Sequence, residues 1–452
     1  MALVGVVCAS AVAGTLLLCA VSLIPQSAIE QHVRDAAVVL CDEGLGFFVF
    51  SGTARTALAN FTDGLMLSSA WTTTGDLLED ALLSPLLSWD ERDEWTAPVD
   101  ALYAVLVDGE PAGDVGIMHY GRYWHGYLVF LRPLLCFMGY SQIRSLNMAL
   151  QLVLVTILVC LLVRRRKGHL VPPVLAMWLT LSPATLFWSM QYSTVFYPTL
   201  VICIAVVCLH GRLSQLGRCL VFEAAGILVA FFDLLTYPLV SLGVPLVLLL
   251  CLEWGSHDSM RPVALDVVAC CLAWAVGYAG MWASKWAIAT VLTGEDVIAQ
   301  ALSQASYRVS ALGATGEAAA EVTYSRLGVI SSNLRRLDSA DFTVAFGGIL
   351  LVGAFLTGRR LADGTARVDV PALIGLGVAF LLPFLWYCAL LNHSGVHCGM
   401  TYRELAIATY ALSSAVWVHV GDTPVGLHSA DGGVAVGEVE AGGELVGEGR
   451  HG

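Results

Sequence analysis

The sequence predicts an all-α membrane protein with about ten transmembrane helices, and with a large outward loop and an interfacial helix between the first and second. Hydrophobic residues make up 57% of the 452 residues and charged residues only 13%, and the mean hydropathy is +0.74. Soluble domains carry about 25% charged residues. The apolar residues gather in runs of about 20, the length that crosses roughly 30 Å of hydrocarbon. These runs are too numerous to be buried in one soluble core.

The predicted elements divide the chain into four parts. Residues 1–25 are interpreted as a retained signal anchor, because they have no basic leading segment and no convincing cleavage site. Residues 26–140 form the predicted extracytoplasmic segment, in which the aromatic, amphipathic stretch 121–138 is typical of a helix at the membrane interface. Residues 421–452 hold ten glycines and six acids and are predicted to be a disordered cytoplasmic tail. Nine further helices are predicted between these parts, at 141–163, 170–190, 194–210, 219–237, 238–253, 263–292, 341–358, 370–391 and 404–420.

The short basic loops predict the orientation of the chain. Arginine and lysine are concentrated in loops that alternation of the helices places on one side, which the positive-inside rule makes cytoplasmic. Both termini are then cytoplasmic, and the segments 26–120, 293–340 and 392–403 face outward in the cell membrane. The basic residues that carry this prediction are those at 164–167, Arg212, Arg218, Arg261, Arg359, Arg360 and Arg367.

One outward loop carries a net charge equal to the −13 of the whole chain. Residues 26–120 hold sixteen acids against three arginines. An acidic surface excludes nucleic acid as a partner, since nucleic-acid binding needs basic surface. No cofactor is required by the pattern, although the acids could bind a divalent cation.

Asp63 is the first candidate for chemistry, within the segment Asn-Phe-Thr-Asp-Gly-Leu-Met-Leu at 60–67. A carboxylate next to a glycine and an apolar run can face a lipid-borne substrate as a general base or a metal ligand. The alternative is that Asp63 starts a helix as an N-cap. Asp42 and Glu43 are further candidates for the catalytic acid, and the dense acids at 90–94 are interpreted as a solvated face.

A second constellation combines aromatic rings with basic groups at the predicted interface. Arg122, Trp124 and His125 lie within Gly-Arg-Tyr-Trp-His-Gly-Tyr at 121–127. Aromatic rings can stack on sugar faces, and arginine can bind phosphate with two hydrogen bonds. The alternative is an ordinary aromatic belt with arginines reaching toward water.

The third constellation lies in the outward segment 392–403. His393 and His397 are four residues apart and Arg403 follows them. A zinc site is disfavoured because Gly395 lies between the histidines and no nearby acid completes a ligand set. A polar loop that receives a phosphate or a sugar is the preferred interpretation.

Charges inside apolar runs are costly and therefore informative. Asp233 and Lys285 both fall in the predicted outer halves of their helices, and Arg144 begins the second helix. Asp233 and Lys285 could form an ion pair with each other, or they could line a polar cavity that opens outward.

The chain resembles the C-type glycosyltransferase superfamily, the multi-pass membrane enzymes that use polyprenyl-phosphate-linked sugars. The resemblance rests on the long first outward loop, on the aromatic-basic segment 121–127 and on Tyr-Ser-Gln-Ile-Arg-Ser-Leu-Asn at 140–147. The chain is also similar to membrane proteins of Gram-positive bacteria that carry a Thr-Asp-Gly-Leu-Met-Leu-like segment and an Asn-His-Ser…His…Tyr-Arg segment.

The resemblance implies transfer of a sugar from a polyprenyl-phosphate donor to an extracytoplasmic polymer, glycolipid or protein. It implies an essential acid in the first outward loop, which is carried onto Asp63, although Asp42 and Glu43 fit the expected position soon after the first helix better. His125, Arg144 and Arg403 would hold the phosphate or the acceptor.

The alternative function is a flippase or exporter of a lipid-linked envelope precursor, with Asp233, Lys285 and Arg144 along its route. The sequence shows no inverted repeat and no matching pair of Gly/Pro-broken helices, which argues against a secondary transporter. The predicted intramembrane charges cluster in the outer half, which favours an enzyme cavity.

Overall fold

The computed structural model describes residues 2–50, 53–88, 98–112, 115–315, 320–366 and 368–421. The acids predicted as a solvated face at 90–94, and the predicted tail apart from Gly421, lie outside these residues.

Helices make up nearly all of the regular structure. They are α1 (Ala2–Ser22), α2 (Glu30–Glu43), α3 (Asn60–Trp71), α4 (Leu77–Leu82), α5 (Pro98–Tyr103), α6 (Leu128–Leu135), α7 (Tyr140–Arg164), α8 (Val171–Leu181), α9 (Pro183–Trp188), α10 (Met190–Leu209), α11 (Gln215–Phe232), α12 (Val240–Leu252), α13 (Met260–Thr293), α14 (Val297–Val309), α15 (Arg326–Arg335), α16 (Ala340–Ala362), α17 (Val370–Ala389), α18 (Leu391–Val396), α19 (Cys398–Thr401) and α20 (Leu405–Trp417). The strands among the described residues form two antiparallel pairs, β1 (Pro85–Ser88) with β2 (Gly116–His119) and β3 (Leu312–Thr315) with β4 (Ala320–Thr323). In β1 and β2, Pro85 is opposite His119 and Ser88 is opposite Gly116.

Seven helices in the described part of the chain are long and apolar enough to cross a membrane: α1, α7, α10, α11, α13, α16 and α17. They have between 18 and 34 residues, and they indicate insertion into a membrane with several passes. The prediction of an all-α membrane protein is therefore supported, whereas the described residues contain seven such helices rather than about ten.

The three remaining predicted runs form helices too short to cross hydrocarbon alone. α8 has 11 residues, and α12 and α20 have 13 each, which corresponds to only about 16–20 Å. α8 ends at Leu181, because the next residue, Ser182, precedes Pro183 and has a φ of 60°, and Pro183 opens the next short helix. Interrupted helices are therefore present, although the sequence had given no sign of a matching pair.

Helix α12 forms the centre of the bundle. All thirteen of its residues are buried, as expected for a helix that is apolar on every side. Helices α11 and α13 pack very closely beside it: a Cβ on Gly226 would lie 2.2 Å from the Trp274 carbonyl oxygen, and one on Gly277 would lie 2.3 Å from that of Glu223. Small residues of this kind allow two membrane helices to approach backbone to backbone.

The described residues of the segment 26–139 cover one end of the bundle, which we call the loop side. The predicted interfacial element 121–138 is not one helix here, because residues 121–127 form an irregular turn and helix α6 begins at Leu128. His125 has a φ of 54°, which ends any continuous helix at that point. Phe130 on α6 and Phe137 just after it are strongly exposed, as expected for a segment that rests on lipid.

The described members of the basic residues that predicted the orientation lie at the opposite end from the loop side. There Arg218 forms ion pairs with Glu253 at 2.9 Å and with Asp266 at 2.8 Å. Arg165 donates to the Cys208 carbonyl oxygen at 3.0 Å. These basic residues and the described acids of the segment 26–139 therefore lie at opposite ends of the bundle, whereas the side of the membrane that each end faces stays a prediction.

Candidate functional site

Asp63 lies in the first turn of α3 and is completely buried. Its carboxylate accepts hydrogen bonds from the Tyr140 hydroxyl at 2.6 Å and from the backbone N–H groups of Met190 and Gln191 at 3.0 Å each. Burial raises the pKa of this carboxyl, while Arg144 and these hydrogen bonds act in the opposite direction. Asp63 therefore does cap a helix, but the helix is α10 and not its own.

Glu43, the last residue of α2, forms a bidentate ion pair with Arg144 near the start of α7. The two nitrogen–oxygen distances are 2.5 Å and 3.0 Å. Asn60 donates to Glu43 at 3.0 Å and accepts from Arg144 at 3.3 Å. The Arg144 side chain is 2% exposed and that of Glu43 is 18% exposed. The Glu43 carboxylate is therefore the more accessible of the two charged groups.

The surroundings of this pair are aromatic. The Arg144 guanidinium carbon lies 4.2 Å from the centre of the Tyr140 ring and 5.9 Å from that of the exposed Trp188. A cleft of about 210 Å³ reaches Tyr140 between α2 and the start of α7. Asp42, beside Glu43, is exposed.

Arg403 and Glu404 are both buried on the loop side, where they serve the ends of the interrupted helices. Arg403 donates to the Leu181 carbonyl oxygen at 3.3 Å, at the C-terminal end of α8, and to the Thr185 hydroxyl at 2.8 Å. The Glu404 carboxylate accepts from the backbone N–H of Leu239 at 3.1 Å, where α12 begins. Cations are favourable at helix C-termini and anions at N-termini, so these charges stabilise helix ends that would otherwise be buried without partners.

Asp233 and Lys285 do not form the ion pair that the sequence allowed. Asp233 ends α11 and accepts hydrogen bonds from the Thr236 N–H at 2.8 Å and the Thr194 hydroxyl at 3.2 Å. Lys285 donates to the Leu82 carbonyl oxygen at 2.6 Å and lies 5.5 Å from the centre of the Trp124 ring. Each charge is therefore satisfied within its own surroundings, on the loop side of the bundle.

In the aromatic-basic segment 121–127, Trp124 and His125 are buried and Arg122 is partly exposed. Trp124 donates to the Met281 carbonyl oxygen at 2.8 Å. His125 contacts the Tyr127 hydroxyl at 2.8 Å and the Tyr120 carbonyl oxygen at 2.9 Å, and burial lowers its pKa to about 3. Both residues thus hold the turn in shape. Arg122 is partly exposed and its guanidinium carbon lies 4.3 Å from the centre of the Tyr120 ring.

His393 and His397 face one arginine that was not among the predicted site residues. Arg308 on α14 lies 3.1 Å from His393 Nδ1 and 2.5 Å from His397 Nε2. Because arginine can only donate, both ring nitrogens must accept and both imidazoles must be neutral. Burial lowers the pKa of His397 to about 4 and that of His393 well below its usual range, and the Arg308 charge acts in the same direction.

Burial raises the pKa of the Tyr120 hydroxyl to about 12, and the charges of Arg122 and Arg308 act in the opposite direction. The contacts of Arg308 are with His393 and His397, whereas those of Arg122 are with the Tyr120 and Tyr123 rings. Arg403 belongs to neither group, since its guanidinium is used at the end of α8. A basic residue on a predicted outward loop was the available signal for Arg308, because such loops normally carry few of them.

The sequence left open that the acidic outward loop binds a divalent cation. Within the described ranges, no group of three or more His, Cys, Asp or Glu side chains is arranged to hold a metal ion. Asp63 and Glu43 are instead engaged with hydrogen-bond donors and with Arg144.

Comparison with known proteins gives no relative for this chain: no family model, curated protein or solved structure matches it. The chemistry of the site therefore rests on its geometry alone. That geometry provides one partly exposed carboxylate paired with an arginine, and one arginine that contacts two neutral histidines.

Proposed function

We propose that the protein is a glycosyltransferase that moves a sugar from a polyprenyl-phosphate donor to an acceptor on the loop side of the membrane. In the proposed orientation this side is extracytoplasmic, both termini are cytoplasmic, and the three short helices complete a bundle of about ten. The observation that carries the proposal is the Glu43–Arg144 pair, in which an accessible carboxylate is held at the end of a membrane helix.

Glu43 is the best placed of the three candidate acids to act as the general base. Asp63 is sealed by three hydrogen-bond donors, and Asp42 is exposed near the end of α2. We therefore assign Asp63 a positioning role and place the catalytic role on Glu43. A base must be within reach of the proton that it removes, and the partial exposure of Glu43 meets that requirement.

The reaction would proceed by a single displacement. The acceptor hydroxyl oxygen attacks the anomeric carbon, the bond from that carbon to the phosphate oxygen breaks, and polyprenyl phosphate leaves. The hydroxyl proton passes to Glu43. Once neutral, Glu43 binds Arg144 less strongly, so the guanidinium can turn its charge toward the departing phosphate. Such a charge is most effective in a site shielded from water, and Arg144 is almost wholly buried.

The exposed aromatic residues near the pair support a lipid-borne donor. Phe47, Phe48 and Phe50 follow Glu43 directly and are all exposed. Trp188 is exposed beside Arg144. Exposed apolar side chains at the end of membrane helices are suited to contact lipid chains, so a polyprenyl tail would approach the pair without crossing water.

Transport of a lipid-linked precursor remains the second candidate. It is favoured by the interrupted helices, since substrate sites in transporters are often built from discontinuous helices with charged groups at their ends. Arg403 at the end of α8 and Glu404 at the start of α12 are such groups.

The test is sugar transfer in proteoliposomes that contain labelled polyprenyl-phosphate sugars and a mixture of acceptors. We expect Glu43→Gln to lower transfer at least 100-fold, because general bases typically contribute that much. Glu43→Asp should retain part of the activity. The matched control is Glu30→Gln on the same helix, which removes an exposed pair with Arg34 and should leave transfer unchanged.

Full transfer by a folded Glu43→Gln protein would refute the assignment of the base. No transfer by any variant, together with movement of labelled lipid across the bilayer, would favour the carrier. Elution as a single peak and a cooperative thermal transition above the assay temperature establish that each variant is folded.

A further inference from the structure

Glu223 is an acidic residue at the midpoint of a membrane helix. Helix α11 runs from Gln215 to Phe232, so Glu223 lies eight residues after its start and nine before its end. These separations correspond to about 12–14 Å of helix on either side. Because α11 is long and apolar enough to cross a membrane, the carboxyl lies at a depth where acidic side chains are rare and mark functional sites.

The Glu223 carboxyl is buried without a hydrogen-bond partner. The residue is 0% exposed, and neither of its carboxyl oxygens has a partner among the described residues. By contrast, the buried Asp233 and Glu404 each accept a hydrogen bond from a backbone N–H group. Buried polar groups are nearly always hydrogen-bonded, so this exception requires an explanation.

No cation in the described part of the chain is placed to neutralise Glu223. The nearest basic residue along α11 is Arg218, which is already paired with Glu253 and Asp266. Helices α1, α10, α12 and α13 pack against α11. Their only basic residues are Arg261, exposed at the start of α13, and Lys285, which donates to a carbonyl oxygen on the loop side. Apart from Asp266, their other titratable groups are thiols and phenols. A structural ion pair therefore does not account for the buried acid.

Helices α11 and α13 close around the level of Glu223. A Cβ on Gly277 would lie 2.3 Å from the Glu223 carbonyl oxygen and 3.1 Å from the Ile227 nitrogen, so the two backbones are in contact there. A metal cation needs several oxygen ligands, and the described residues contain no group of three or more His, Cys, Asp or Glu that could hold one. A proton is the cation that suits a single carboxyl in so tight a contact.

We infer that Glu223 is a proton-binding site inside the membrane, which keeps its proton while α11 and α13 are packed together. The neutral acid avoids the large cost of an unpaired carboxylate in an apolar interior. Transfer of the proton to water leaves a carboxylate, which needs hydrogen-bond donors that the packed helices do not supply. Ionisation therefore requires α11 and α13 to part far enough to admit water.

The site goes beyond the proposed sugar transfer and does not depend on Glu43 or Arg144. Carboxyls that exchange protons at membrane depth act as relays in pumps and transporters. A proton that binds Glu223 in one arrangement of the helices and leaves in another would give the second candidate function, the carrier, a driving ion. Failure of the sugar-transfer test and failure of this site are therefore separate results.

Infrared difference spectroscopy of the full-length protein in lipid tests the site, because a protonated carboxyl and a carboxylate absorb at different frequencies. The wild type is compared with Glu223→Gln at neutral pH. We expect a protonated-carboxyl band that the variant lacks, and we expect this band to shift when water is replaced by D₂O. The matched control is Asp266→Asn on α13. The Asp266 carboxylate is paired with Arg218 at 2.8 Å, so its removal should leave the band in place.

Loosening the helix pair tests the coupling between proton exchange and packing. Gly277→Ala adds a methyl group at the level of Glu223 and should speed deuterium exchange of the carboxyl about tenfold or more, since exchange needs local opening. Gly377→Ala on α17 should leave the rate unchanged, because nothing lies within 4 Å of its Cβ position. Glu223→Asp keeps a carboxyl and should retain a shifted band if Glu223→Gln does not fold.

Each outcome has a defined meaning. Loss of an exchanging band in Glu223→Gln, with its retention in Asp266→Asn, supports the site. Identical spectra of the wild type and Glu223→Gln in the protonated-carboxyl region would overturn it, because Glu223 would then be ionised. A band that the variant lacks but that never shifts in D₂O would also overturn it, since the acid would be permanently sealed. An exchange rate unaffected by Gly277→Ala would overturn the coupling to helix packing.

Discussion

The Tyr140 hydroxyl donates a 2.6 Å hydrogen bond to the Asp63 carboxylate. Tyr140 is the first residue of α7, and Asp63 also receives the first two backbone N–H groups of α10. One carboxylate therefore joins the segment 26–139 to the ends of two membrane helices. The arrangement favours a structural role for Asp63 and leads to the first prediction.

Removal of the Asp63 carboxylate should destabilise the protein more than it affects chemistry. We expect Asp63→Ala to cost about 3 kcal/mol, since it leaves buried donors unpaired, and Tyr140→Phe to cost about 1–2 kcal/mol. Asp63→Asn should fall between them, because one oxygen remains to accept. Thermal unfolding in detergent measures the loss, and transfer is assayed on the folded fraction. A stable Asp63→Asn protein without activity would return the catalytic role to Asp63.

The Glu43–Arg144 pair should show strong coupling in a double-mutant cycle. Glu43→Gln leaves a buried guanidinium without its anion, and Arg144→Met leaves a partly buried carboxylate without its cation. We expect either change to cost about 2–4 kcal/mol and the double change to cost less than the sum. Unfolding midpoints of the four proteins give the coupling free energy. Additive effects would show that the two side chains do not depend on each other.

Acid should destabilise the contact between α14 and the segment 392–403. His397 has a pKa lowered to about 4, and its pKa in the unfolded chain is about 6.5. The fold therefore favours the neutral imidazole, so its contribution is complete above about pH 6.5 and is lost as the pH falls toward 4. Between pH 7.5 and 5 the loss should be about 2 kcal/mol for this histidine.

The matched experiment for this pH effect compares the wild type with His397→Gln over the same range. The variant should lose less stability on acidification, because the amide does not titrate in this range. The difference between the two curves removes the contributions of carboxyl groups that titrate in both proteins. Parallel curves would contradict a lowered pKa for His397.

The close approach of α11 and α13 should not tolerate a methyl group. Gly226→Ala and Gly277→Ala would place a Cβ 2.2–2.3 Å from a backbone oxygen of the other helix, so the helices must move apart. We expect each change to cost about 2–3 kcal/mol. Gly377→Ala on the membrane helix α17 is the control, since nothing lies within 4 Å of its Cβ position. Equal midpoints for all three variants would refute the close packing.

Parts of the site were predictable from residue type and position. Charges such as Arg144 and Asp233 stood out because they are rare in apolar runs. The partners of these charges could not be predicted, because they are distant in the chain: Glu43 is 101 residues from Arg144. Arg308 was missed for the same reason: its meaning depends on two histidines 85 and 89 residues away.

The sequence by itself determined the class of the protein, because hydrophobic runs of membrane length and asymmetric charge are local properties of the chain. The tertiary structure alone decided where the runs are interrupted and which charges meet. An apolar run of 16 residues or more can form one long helix or, as in α12, a short central one, and burial by neighbours selects between them. The roles of Asp63 and Glu43 were likewise decided by packing, since a carboxylate sealed against helix ends and one left partly open look alike in sequence.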